Sequence, residues 1–480
     1  MPGAGRSPSA LRRRRRAAPL AVAALILVLA GSCTTPPEVA PPPTAPPLTT
    51  PSSLRVSVGL PGSLDPRDLR SPESLLIASQ IFDGLVSFDP ESLDVVPAVA
   101  ARWRVGSSGR RLLFRLRRGA RFHDGTSVTA HSFVGAWNRL VNPEDPSPFS
   151  FLLEAVEGFE DAMEGRRRAR LRGLRVTPNG GLEVRLTRPW PDFVSVLSHP
   201  ALSPVPATAG DGFAAHPVGN GPYRVEGELG LGTPVELVRF DDYYGEAASI
   251  ERVSFVISES ADESWPDFLA GRLDVASIPT SVLEDAETEF GSDGLVTMAR
   301  LLYCGFNMDV PAFRDRRVRT AVALAIDRRF VAGRVYSGLA VAAPTLVPPT
   351  LPGHQDDGCG DSCERDVDRA SALVDELPAR RRAFELDYAD SPIGVRLATA
   401  LTAQLEEVGF NVSARGHDEA GLRELLESGD HELFCLAWVA DYPRQQAILE
   451  PLLWSESEDN QTGFADRPLN RLLGRARAQR

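Results

Sequence analysis

The segment from Thr34 to Ser53 reads TTPPEVAPPPTAPPLTTPSS, and its proline density decides where a fold can begin. Proline fixes φ and gives up a backbone donor, and the stretch holds few large apolar side chains. It can neither extend a helix or sheet ladder nor fill a core. The expectation is a stiff tether in polyproline II geometry, at ~3.1 Å per residue. Everything before it is thereby separated from the globular body.

What precedes the tether is an address. Five arginines, Arg12 to Arg16, lead into the apolar run LAVAALILVLA from Leu20 to Ala30, followed by Gly31-Ser32-Cys33. A basic start, an apolar centre and small residues make a secretory signal, and this centre is shorter than the ~20 apolar residues of a spanning helix. LAGSC resembles the lipobox of bacterial lipoproteins. That resemblance implies cleavage before Cys33, acylation of its thiol and a lipid anchor on the extracytoplasmic face of the cell membrane. The expected partition is 1–32 signal peptide and 33–53 tether.

All 52 basic residues are arginine, so clusters of arginine carry little information about function here. The first 32 residues hold six arginines and no acid, and removing them takes the formal charge from −12 to −18. An acidic mature chain lacks the basic face of a nucleic-acid binder, and none is expected as a partner.

With 480 residues, the chain has room for about three folding units. Leu54, Val56, Val58 and Leu60 alternate with polar or small residues, predicting a strand. Ser71 and Pro72 fit the N-cap and first position of a helix carrying Leu75, Leu76, Ile77 and Ile81. Between about 86 and 201 the pattern turns to hairpins. Leu174 and Val176 face Leu182, Val184 and Leu186 across Pro178-Asn179-Gly180-Gly181, which supplies tight-turn chemistry. Beyond Cys304 helical periods return: Val318, Ala321, Val322, Ala325 and Ile326 in one helix, and Val395, Ala398, Leu401, Leu405 and Val408 in another, ending at Gly409. The short apolar run LFCLAWV, Leu433 to Val439, predicts a parallel strand buried on both faces, with a buried helix as the competing reading.

Seven stretches stand out in order: IFDGLVSFDP from Ile81, VPAVAARW from Val96, LLFRLRRGARFHDGTSVTAHSFVGAW from Leu112, GNGPYRV from Gly219, GRLDVASIP from Gly271, FRDRRVRTAVALAIDR from Phe313 and LFCLAWVADYP from Leu433. Together they resemble the bacterial extracellular solute-binding family of oligopeptide, dipeptide and nickel receptors that serve ABC importers. The resemblance implies an α/β, two-lobed periplasmic-binding-protein-like fold with an extra inserted subdomain. Lobe one would span 54–303 with the insert at about 86–201, and lobe two 304–480. Family members continue further and re-enter lobe one; the expectation here is that this return is missing, through a truncated sequence or an abnormal second hinge crossing. A monomer is expected, working with an ABC permease and binding a peptide or other small solute in the cleft.

Asp441 is the leading site candidate, because it follows an apolar strand and open α/β sheets bind ligands beyond their strand ends. In peptide-binding family members, the acid of this W-x-x-D-Y stretch pairs with the ligand's α-ammonium. An ordinary loop or cap aspartate is the other reading. Trp438 and Tyr442 are candidate ligand walls or plain core aromatics. Pro443-Arg444-Gln445 stands where a second aspartate is often found. Phe306 and Asn307 occupy the place where the family's backbone lines the cleft, though a short polar residue after an apolar run also caps a turn.

Setting Cys33 aside, four cysteines remain for an oxidising compartment. Cys359 and Cys363 are spaced for a local disulfide, while Cys304 and Cys435 lie in two apolar segments that are candidates to neighbour each other. Zinc on His354, Cys359 and Cys363 lacks a fourth ligand. No catalytic acid, base and nucleophile set converges, so no enzyme, cofactor or metal is expected. The rival readings are the same fold with a metal chelate or another solute, and a surface lipoprotein for signalling or adhesion.

Overall fold

A computed structural model describes residues 52–478, apart from 167–169, 211, 231 and 293–297. The signal, Cys33 and nearly all of the tether lie outside the described residues. No described helix is long and apolar enough to cross a membrane.

The first strand, Ser53–Val58, runs parallel to Arg252–Ile257, and Val235–Arg239 and Tyr223–Val225 extend that sheet antiparallel. Helix Pro72–Ile81 follows, its N-terminus capped as expected by the Ser71 hydroxyl, which accepts from Ser74 N at 3.1 Å. The next sheet is wholly antiparallel, in the order Ala100–Val105, Arg111–Leu116, Leu182–Arg185, Leu174–Val176. Leu174 pairs with Val184 and Val176 with Leu182, and Gly180 takes the positive φ (75°) that the turn needs. This sheet lies inside the 86–201 segment. It has no core of its own: Leu112, Phe133, Trp137 and Leu182 share one buried cluster with Ile77, Leu85, Leu237 and Phe255.

The third sheet is mixed. Arg300–Phe306 is antiparallel to Leu433–Val439, which runs parallel to Ala383–Ala389, itself parallel to Asn411–His417. Helices Arg316–Ala325 and Pro392–Glu407 cover it with Val318, Ala321, Val322, Leu397, Ala398, Leu401 and Leu405. Val395, expected on the buried face, is 43% exposed, and Leu397 takes the core position instead. Ile393 of the same turn still packs against that core, so of the two β-branched residues there only Val395 faces outward.

The glycines of GNGPYRV, Gly219 and Gly221, permit close approach of two backbone segments. A Cβ on Gly219 would lie 2.0 Å from the Ile81 carbonyl oxygen, at the end of helix Pro72–Ile81. His123 staples the same loop: its Nδ1 accepts from Gly219 N at 3.2 Å, leaving Nε2 to donate to Gly221 O at 3.1 Å. Burial holds this imidazole neutral, with its pKa lowered to about 4. The Asn220 side chain bonds Asp83 N and O at 3.1 and 3.0 Å. Gly219→Ala is therefore expected to destabilise by about 3 kcal/mol, through overpacking against a rigid backbone. Denaturant unfolding checks it, and a shift within about 0.5 kcal/mol refutes the close-approach account.

Candidate functional site

The strand Leu433–Val439 positions the site. Leu433, Phe434 and Cys435 are buried, but exposure then alternates, and Val439 is 48% exposed. The expectation of a parallel strand buried on both faces thus holds for half its length and one of its edges. Along its other edge the Arg300–Phe306 neighbour is antiparallel, and the second half leaves one face open.

Beyond Val439 the chain leaves the third sheet and enters the first core. Tyr442 (7% exposed) and Ala447 belong to the cluster that contains Leu85, Phe193 and Leu202. Trp438 folds this loop back on its own strand, its indole Nε1 donating to Ala447 O at 2.8 Å. Arg444 reaches across, donating to Leu93 O at 2.9 Å, with its guanidinium 5.7 Å from the Phe88 ring centroid. Sequence reasoning recognised Arg444 only as a departure from the family pattern; here it fastens the loop to the Val86–Phe88 and Val95–Pro97 ribbon.

Asp441 sits in this junction, half-buried, and its carboxylate forms no hydrogen bond or ion pair with any described residue. Burial pushes its pKa up to about 7, and the neighbouring negative charge of Asp459 adds to the shift. Asp459 also raises the Tyr303 hydroxyl to about 12, after burial. No sequence pattern singled out Asp459, which lies eighteen positions downstream in an ordinary acidic stretch. The arrangement is an acid partly withdrawn from water that lacks, among the described residues, a cation to stabilise its charged form.

The other candidates are not gathered around it. Phe306 pairs with Leu433, at the opposite end of the strand from Val439, so about 20 Å separates Phe306 and Asn307 from Asp441. Phe306 packs on Phe313, ring centroids 5.2 Å apart. Asn307 is buried, its amide donating to Gly429 O and His431 O at 3.0 and 2.8 Å while its Oδ1 accepts from Asp309 N at 3.0 Å. These bonds occupy it as a corner residue. Trp438 and Tyr442 do flank Asp441, but the indole donor is used internally and Tyr442 is nearly all core.

Cys304 and Cys435 occupy directly paired positions of adjacent strands and are joined by a disulfide, with Cα atoms 4.0 Å apart. A second disulfide links Cys359 and Cys363. Among the described residues, no group of three or more His, Cys, Asp and Glu is placed to hold a metal ion.

The profile of the "Bacterial extracellular solute-binding proteins, family 5 Middle" matches residues 94–460. The chain belongs to this family. It is 29% identical over 435 residues to the "Probable deoxycholate-binding periplasmic protein YgiS" of Escherichia coli, covering 87% of this chain and 80% of that one. Over 430 residues it is 26% identical to the "Periplasmic oligopeptide-binding protein OppA" of Salmonella typhimurium, covering 86% and 78%. The solved Escherichia coli murein tripeptide binding protein MppA superposes with a TM-score of 0.74 at 24% identity, covering 89% and 87%. The fold is the α/β, two-lobed binding-protein architecture, and the chain is a solute-binding protein.

Proposed function

We propose that this family 5 protein is the receptor of an ABC importer and takes peptides, whose α-ammonium group pairs with Asp441. The observation that carries the reading is that carboxylate, desolvated at a strand end and without a cationic partner among the described residues. An incoming ammonium supplies the missing charge, and the peptide backbone supplies hydrogen bonds that do not depend on side-chain identity. In this reading 54–303, with its insert at about 86–201, and 304–480 act as two lobes that close on the guest. Differential affinity for the closed form signals loading to the permease. Cys33 anchors the monomer by lipid to the outer face of the cell membrane.

One observation favours a second cargo: the relative at 29% identity is named for deoxycholate, an amphiphile without an ammonium group. Calorimetry against a short-peptide pool, the same pool acetylated at its N-termini, deoxycholate and chelated nickel separates the readings. Free-amine peptides are expected to bind, and acetylation to weaken them at least tenfold. Equal binding of both pools, or saturation by deoxycholate alone, removes the peptide assignment.

A further inference from the structure

A groove of about 560 Å³ runs between the 327–335 segment and helix Pro392–Glu407, away from Asp441 in the covering helices of the third sheet. Its lining is mainly apolar: Val335, Ala400 and Ala403, with Phe330 and Val395 standing 45% and 43% exposed. Asp327 N donates to Gln404 Oε1 at 2.7 Å and ties the two walls together. Near that tie Arg365 is occupied, by Ala325 O at 3.1 Å and Glu407 at 2.5 Å. Arg334 and Arg396 also line the groove, yet neither guanidinium makes a hydrogen bond or ion pair with any described residue. Arg396 lies two helical turns from Gln404, so the free guanidinium end and the tied end are ~12 Å apart. The wall bearing Arg334 contains a π-helical turn, Val331–Val335, a distortion that recurs at functional sites.

We propose that this groove binds an amphipathic carboxylate with a medium-length aliphatic chain, its head between Arg334 and Arg396 and its tail along Ala400 and Ala403. Each guanidinium offers a fork of N–H donors to a carboxylate, and the apolar lining matches the tail. The volume is that of a small-molecule site.

The test titrates decanoate into the protein by calorimetry below its micellar range, with decanol and decyltrimethylammonium as controls. Decanoate is expected to saturate one site and to bind at least tenfold more tightly than either control. Arg334→Ala/Arg396→Ala weakens it at least tenfold. Ala403→Trp, a change at an exposed position that fills the groove, does the same while circular dichroism stays that of the wild type. Asp441→Asn leaves decanoate binding unchanged. The proposal is overturned by the absence of saturable binding, by equal affinity for decanol, by unchanged affinity in the arginine double variant, or by a loss in Asp441→Asn that would put decanoate in the junction.

Discussion

Asp441→Asn is expected to lose about 3 kcal/mol of affinity for a free-amine peptide, roughly a hundredfold, and with it the pH dependence of binding. The wild-type carboxyl titrates at about 7 in the free protein. Below that pH it carries a proton that must leave before an ammonium can pair with it. Affinity should therefore fall about tenfold per pH unit from 7 down to 5 and be flat between 7 and 8. The sign for stability is opposite. A carboxyl whose pKa is raised on folding binds more protons in the folded state, so ligand-free stability falls as pH rises from the unfolded value near 4 to about 7. The asparagine variant lacks both slopes. Calorimetric titration at pH 5, 6, 7 and 8 decides the matter, and pH-independent wild-type affinity would defeat the assignment.

The second large effect belongs to the disulfides. Cys304 and Cys435 are 131 positions apart, so their bond removes the closure entropy of a long loop from the unfolded chain. In the chain-entropy picture that is worth about 5 kcal/mol, against about 2 kcal/mol for the four-residue separation of Cys359 and Cys363. Cys304→Ser/Cys435→Ser should lower the denaturant midpoint of the third sheet's body far more than Cys359→Ser/Cys363→Ser. Equal losses would show that the long closure contributes nothing beyond a local staple.

Local signals were legible where the chemistry is local. Ser71 caps its helix, Gly180 makes its turn, and the pairing at Leu174 and Val176 follows from alternation. The family stretches carried the fold class. Strand direction was not legible for Leu433–Val439, because an apolar run records burial and not the orientation of its neighbour. That orientation is what sends Phe306 and Asn307 to the far end from Asp441. Asn307 illustrates a further limit: a short polar residue after an apolar run reads alike whether it faces a cleft or the carbonyls of Gly429 and His431. Val395 satisfied the helical period yet is 43% exposed, because Ile393 and Leu397 on either side of it take the core-facing positions.

Sinking Tyr442 into one core while its own strand stays in another sheet has a mechanical outcome. In the proposed closure, the backbone around Val439 to Asp441 is one of the places that takes up the swing of one half against the other, and it acts there as a fulcrum. A carboxylate at a fulcrum travels little while the outer rims travel far. A guest gripped there by its charged end would stay seated as the jaws open, and release would be governed by the rest of its contacts.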